Sequence, residues 1–218
     1  MHPVNLLIFD LDGTLVNTLE DITASLNYTL SKFGRQPLPM DRVRRYVGDG
    51  LTALLQRALG ERREFLDQAQ AVYTVHYSRN LSRRSRLYPG VRETLEHFKG
   101  LPMAVISNKS SEFIGPLLGH FGILPYFKEI VGADSGLLLK PAPDALLRVM
   151  AAFNAPGDRT VMVGDGTTDI RAGKAAGCIT CAAAYGFRSE GELREAGADH
   201  IIHAFHELKD LFIPASSG

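Results

Sequence analysis

No sign of charge dominates this chain of 218 residues: 24 Lys and Arg stand against 24 Asp and Glu, and the formal net charge is zero. Without a global positive field there is no general attraction for nucleic acid or an anionic membrane surface, so any anion-binding site has to be local. Long apolar runs are missing too. The first one, VNLLIF, meets Asp10 too early for the apolar region of a secretory signal, and no other is long enough to span a bilayer. Cysteine is scarce, with two in the chain, which fits a reducing compartment. These absences lead to the expectation of a cytoplasmic protein with neither a nucleic-acid nor a membrane partner. The two cysteines read Cys178-Ile179-Thr180-Cys181. In a strand, residues three apart face opposite sides, and no second Cys pair or paired histidine accompanies them, so a structural role is expected. Of the seven histidines, His200, His203 and His206 cluster without a recognisable catalytic partner and read as solvated or capping.

What is present is an ordinary globular composition, 45% hydrophobic and 22% charged, in a chain long enough for one large or two small domains. Short β-branched runs recur at residues 4 to 9, 102 to 107, 129 to 132, 160 to 164, 178 to 183 and 200 to 202. Amphipathic stretches such as SEFIGPLLGHFG, PDALLRVMAAFN and DIRAGKAAG lie between them. Apolar strands alternating with helices predict a parallel sheet covered on both faces, an α/β Rossmann-like doubly wound core. Residues 17 to 88 break the alternation and read as helices alone. Thr18 with Asp21 predicts a capping box, and Gly34 and Gly60 stand where helices end. Pro89-Gly90 marks the return to the core. The expected division is a core of residues 1–16 and 89–218 with a small helical cap, 17–88, inserted after the first strand. Such an insertion is either a packing appendage or a lid, because ligands bind beyond the carboxyl ends of parallel strands.

Four polar signals each follow a predicted strand or its loop: Asp10-Leu11-Asp12-Gly13-Thr14, Ser107-Asn108-Lys109, Lys140-Pro141 and Gly164-Asp165-Gly166-Thr167-Thr168-Asp169. Parallel strands bring such groups to one edge of the sheet. Asp10 and Asp12, two apart in an extended segment, would share a face and oppose each other's ionisation. Asp10, Asp12, Asp165 and Asp169 together would repel unless a hard cation sits among them, and oxygen-only ligands suit Mg²⁺. Ser107 and the turn after it offer donors to phosphate oxygens, and Lys140 a compact positive charge. A cation, donors and a carboxylate nucleophile are the parts of phosphoryl transfer to an aspartate.

With these four motifs in order, the chain resembles the haloacid dehalogenase superfamily of aspartate-nucleophile phosphatases, and within it the phosphoglycolate phosphatases. The closer likeness lies in Tyr46-Val47-Gly48-Asp49-Gly50-Leu51, Leu87-Tyr88-Pro89-Gly90-Val91 and Lys140-Pro141-Ala142-Pro143. The resemblance implies Asp10 as nucleophile and Asp12 as the acid that protonates the leaving alcohol and then activates water. It implies Ser107 and the backbone of Asn108 as phosphoryl holders, and Lys140 as the charge that steadies nucleophile and phosphate. Mg²⁺ would be bound by Asp10, Asp165 and the Asp12 carbonyl, with Asp169 as an outer or alternate ligand. On this reading Mg²⁺ and Lys140 keep Asp10 ionised, while Asp12 is freer to carry a proton. Gly48 and Gly50 would bring cap N–H groups near a small acid, or merely separate two helices. Arg44, Arg45 and Arg57 are candidates for a substrate carboxylate or for solvated helix surface, and Arg83, Arg84 and Arg86 read as solvated. The expected partner is a small phosphorylated metabolite, 2-phosphoglycolate first. A pyrophosphatase, sugar phosphatase, nucleotidase, β-phosphoglucomutase-like phosphotransferase or dehalogenase stays open, as does a catalytically silent binding protein on the same fold. Monomer and homodimer are not distinguished, and the tail LFIPASSG is expected to fray.

Overall fold

The computed structural model describes residues 1–61 and 63–215. In chain order the strands are β1 (His2–Val4), β2 (Leu6–Phe9), β3 (Val16–Asn17), β4 (Arg86–Leu87), β5 (Met103–Ile106), β6 (Glu129–Val131), β7 (Thr160–Gly164), β8 (Ile179–Ala183), β9 (His200–Ile202) and β10 (Phe212–Pro214). Between β3 and β4 run α1 (Leu19–Lys32), α2 (Met40–Tyr46), α3 (Gly50–Leu59) and α4 (Leu66–Ser78). The remaining helices are α5 (Val91–His97), α6 (Ser111–His120), α7 (Asp144–Ala152), α8 (Thr167–Ala175), α9 (Glu190–Glu195) and α10 (Leu208–Leu211).

Six strands form one sheet in the order β6-β5-β2-β7-β8-β9, with every neighbouring pair parallel. The chain winds outward from β2 in one direction, then restarts at β7 and winds the other way. The crevice between the loops after β2 and β7 is therefore the switch point at which doubly wound sheets bind ligands. Alternation along β2 divides the core. Leu7 and Phe9 pack with Met103, Val105, Val161 and Val163 on one face, and Leu6 and Ile8 pack with Ala104, Ile106 and Met162 against α7 and α8 on the other. Cys178 lies in the second cluster and Cys181 in the first, so the two thiols sit on opposite faces and both are free. Burial pushes the Cys178 thiol up to about 12.

Three local expectations need correction. Residues 4 to 9 are not one strand: β1 pairs with β10 in parallel, and the Asn5 N–H donates to the Arg159 carbonyl before β2 begins. The tail does not fray from Leu211, because β10 has β1 as a partner; Ser216 to Gly218 lie outside the described residues. Nor is the 17–88 region purely helical at its margins, since β3 and β4 form a two-residue antiparallel ladder where the chain leaves and returns.

The Thr18–Asp21 capping box is also replaced by other bonds. Thr18 does precede α1, but its hydroxyl donates to Asp12 Oδ1 at 2.6 Å. Asp21 is buried and accepts the backbone N–H groups of Arg84 and Ser85 and the Ser85 hydroxyl, at 2.7 to 3.1 Å. A buried carboxylate needs such donors, and here they come from the segment that leads into β4. Asp21 thus ties the start of the helical segment to its exit. At the far end of α1, Gly34 (φ 64°) stands one residue past Phe33, with the Arg35 N–H bonded back to Leu30, a left-handed glycine stop as expected. Asp21→Ala leaves the Arg84 and Ser85 N–H groups without their acceptor, while the Ser85 hydroxyl keeps the Leu81 carbonyl, and should cost about 2–3 kcal/mol. That corresponds to a loss of roughly 5–10 °C in Tm for a chain of this size, measured by differential scanning calorimetry.

Candidate active site

The carboxyl edge of the sheet gathers the polar motifs. Asp10 continues β2, its N–H bonded to the Val163 carbonyl of β7 at 2.9 Å. Asp165 follows β7 directly, Ser107 follows β5, and Lys140 lies in the connection between β6 and α7. All four are buried, as are Asn108 and Asp169. The strands β5, β2 and β7 are immediate neighbours, so their end loops lie side by side.

Lys140 is the electrostatic centre. Its Nζ donates to Asp10 Oδ1 at 2.9 Å, to Asp169 at 2.6 Å and to the Ile106 carbonyl at 2.6 Å. Burial alone would lower its pKa, but Asp10 and Asp169 outweigh that and raise it, so the side chain is an ammonium. One cation does not balance the acids. Burial pushes Asp10 up to about 6 in spite of Lys140, with Asp169 adding to the rise. Asp165 is raised well above the carboxylate range by burial and by its charged neighbours Asp10 and Asp169. Asp10, Asp165 and Asp169 each place a carboxylate oxygen within 4.8 Å of the others. An oxygen-only, buried, under-neutralised trio fits a hard divalent cation such as Mg²⁺. The Asp12 carboxylate is outside that trio.

Glycines make this packing possible. Gly13 has φ 91°, and a Cβ there would lie 2.1 Å from Asp165 Oδ2; one on Gly164 would lie 2.3 Å from Asp169. The space left at Gly13 is filled by Asp165, which accepts the Thr14 hydroxyl at 3.1 Å and the Phe187 N–H at 2.6 Å. Asp169 reaches back from the first turn of α8 to accept the Gly166 N–H at 2.9 Å.

Asp12 is held by two donors rather than standing apart from them. Lys109 Nζ donates to both of its oxygens, at 2.9 and 3.0 Å, and Thr18 donates at 2.6 Å, so Asp12 is an ion-paired acceptor. Lys109 closes the Ser107-Asn108-Lys109 motif, and its sequence context alone assigns it no role. Its ammonium also lies 4.6 Å over the Tyr77 ring of α4. Nothing in local spacing shows that a lysine after β5 will reach an acid after β2.

A cavity of about 560 Å³ opens over these groups. Its floor is Asp10, Asp12, Ser107, Lys140, Asp165 and Asp169, and its roof comes from the helical segment, with Gly48, Gly50, Leu54, Tyr73 and Tyr77. Gly48 and Gly50 therefore do meet the core, and a Cβ on Gly50 would stand 3.3 Å from the Asn108 carbonyl. Arg44, Arg45 and Arg57 do not line the cavity. Arg44 and Arg45 are exposed on α2, and Arg57 pairs with Asp49 and donates to the Tyr46 carbonyl. Among the described residues the arginine that lines the cavity is Arg188, which belongs to none of the four motifs. Arg83, Arg84 and Arg86 are exposed, as expected.

Known proteins resemble this chain in sequence and in fold. A sequence model described as haloacid dehalogenase-like hydrolase matches residues 7–183. A phosphoglycolate phosphatase of Pseudomonas fluorescens strain Pf-5 is 39% identical over 211 residues, 93% of this chain and 78% of that protein. One from Haemophilus influenzae strain Rd is 36% identical over 93% of this chain and 96% of its own. Among solved structures, a predicted phosphoglycolate phosphatase from Haemophilus somnus 129pt superposes with a TM-score of 0.91 at 31% identity, covering 97% of this chain and 99% of that one.

The cation fit can be checked without turnover. Saturating Mg²⁺ should raise the Tm of the wild-type protein, by linkage to a site present only in the folded state. Gly13→Ala combines a strained φ with overlap on Asp165, should cost at least about 2 kcal/mol, and should abolish the Mg²⁺-dependent rise. A full rise in the variant would remove Gly13 as the packing condition for Asp165.

Proposed function

Because this chain belongs to the haloacid dehalogenase-like hydrolase family, we propose that it is a phosphatase close to phosphoglycolate phosphatase, cleaving 2-phosphoglycolate to glycolate and phosphate. The observation that carries this reading is the meeting of Asp10, Lys140, Asp165 and Asp169 in one buried cluster at the switch point of the sheet. The likeness to named phosphoglycolate phosphatases over nearly the whole chain supports the substrate.

In this mechanism a carboxylate oxygen of Asp10 attacks phosphorus as the bond from phosphorus to the alcohol oxygen breaks, and Asp12 delivers a proton to that oxygen. Water then attacks the phosphorus of the aspartyl-phosphate, Asp12 takes its proton, and phosphate leaves with Asp10 regenerated. For this, Asp12 enters the first step protonated, exchanging its bonds from Lys109 and Thr18 for a proton from solvent and contact with the leaving oxygen, and it regains that proton from the water of the second step. Ser107 and the Asn108 N–H hold the phosphoryl oxygens, and Lys140 holds Asp10 in line. A Mg²⁺ ion bound by Asp10, Asp165 and the Asp12 carbonyl, with Asp169 as inner or outer ligand, would supply positive charge against the phosphate oxygens. The helical segment 17–88 acts as the lid, since the cavity roof is its contribution. The small acid would meet the turn at Gly48 and Gly50, where α3 begins.

One observation favours a second reading. At about 560 Å³ the cavity is roomier than a two-carbon acid phosphate requires, so a larger phosphorylated metabolite such as a sugar phosphate is the alternative substrate. Among the described residues no helix is long and apolar enough to cross a membrane, and the two free, buried cysteines support the cytoplasm as the place of action.

A panel of phosphate esters assayed with and without EDTA tests the proposal. Release of phosphate should be fastest from 2-phosphoglycolate, vanish with EDTA, and fall by at least about 10³-fold in Asp10→Asn. Turnover that survives either change overturns the mechanism, and a preference for sugar phosphates selects the second reading. A folded protein inert toward every ester would instead be a binding protein on this fold.

A further inference from the structure

Arg188 follows β8 and belongs to none of the four motifs, yet its guanidinium spans from the core to the helical segment. Nη1 donates to the Arg44 carbonyl at 2.9 Å, and Nη2 donates to the Val47 carbonyl at 2.6 Å and the Arg45 carbonyl at 3.4 Å. These are the carbonyls at the end of α2, which have no partner within a helix that stops at Tyr46. A cation there also suits the negative end of the helix. The turn that follows, Val47 to Gly50, roofs the cavity.

A second core side chain catches the same turn. Asn108 Nδ2 donates at 2.9 Å both to the Gly48 carbonyl and to the Lys140 carbonyl, while its Oδ1 accepts the Lys140 N–H at 2.9 Å. The residue before Arg188, Phe187, gives its N–H to Asp165. Each anchor of the roof is thus joined, within one residue, to a group of the buried cluster: Arg188 to Asp165 and Asn108 to Lys140.

We propose that Arg188 is a positioning residue that seats the Val47–Gly50 turn over the active site, so that substrate is held in a closed cavity. The proposal rests on the phosphatase reading for its kinetic arm but not for its structural one. With Arg188 removed, α2 loses its cap, the turn is left with the Asn108 bond alone, and substrate binding must supply the closure that the latch now holds in place. The burden falls on KM, because the chemistry still occurs in the closed form once substrate is bound.

Arg188→Ala and Arg188→Lys are compared with the wild type by hydrogen exchange without substrate and by steady-state kinetics on the best ester. Arg188→Ala should speed amide exchange in residues 40 to 51 about tenfold while β2 and β7 stay as protected as before. KM should rise about tenfold with kcat within threefold, and Arg188→Lys, which keeps a cation but not the fork, should recover part of both changes. Unchanged exchange in residues 40 to 51 overturns the latch. So does a fall in kcat at constant KM, which would make Arg188 a support for the Asp165 loop instead. If the wild type turns over no ester, the phosphatase reading fails while exchange alone still decides the latch.

Discussion

The arrangement depends on one buried ammonium. Lys140 is almost completely enclosed, and an unpaired charge in that position would be prohibitive. It is tolerated because Asp10, Asp169 and the Ile106 carbonyl converge on it. The pairing is mutual: Asp10 and Asp169 could not lie this close in a buried site without a cation between them. Lys140 is itself fixed by its backbone, with both its N–H and its carbonyl bound to the side chain of Asn108. The cluster therefore draws on the ends of β2, β5, β6 and β7 at once, and a slip in any of those loops would leave a charge without its partner.

That convergence follows from sheet order more than from any single motif. With β5, β2 and β7 adjacent and parallel, residues that are far apart in sequence become neighbours at the carboxyl edge: Lys140 Nζ and Asp10 meet across 130 positions, and Thr14 and Asp165 across 151. Strand order thus turns four weak sequence signals into one electrostatic unit. It also explains why the roof must come from the segment after β2. A chain leaving that central strand end starts directly above the cluster, and the β3–β4 ladder with Asp21 brings it back to the same place.

The sheet and the acid cluster were legible because both have local signatures: short apolar runs between amphipathic stretches, and acids at fixed offsets after those runs. What escaped the sequence shares a different property. The β1–β10 pairing joins two three-residue strands from opposite ends of the chain, too short for a periodic pattern to register. Thr18 and Asp21 have the spacing of a capping box, but Asp12 was available to Thr18 and the Arg84 and Ser85 donors to Asp21, and those bonds displaced the local one. Lys109 and Arg188 act through long side chains whose targets lie on other elements. A reach of that kind has no period, and only the folded neighbourhood reveals it.

The acids in turn are placed by what is missing beside them. Gly13, Gly164 and Gly186 surround Asp165 and Asp169, and a Cβ on any of the three would come within 2.1 to 2.3 Å of one of these side chains. Neither Gly164 nor Gly186 has a left-handed φ, so for them the demand is for space and not for backbone freedom. Side chains this confined have little room to rearrange when charge arrives. The carboxyl groups are therefore held close together by packing, and the cost of that placement is met by Lys140 and by the raised pKa values of Asp10 and Asp165. A trio of acids packed in this way suits a hard divalent ion through its geometry, and the glycines contribute by leaving the space that the acids fill.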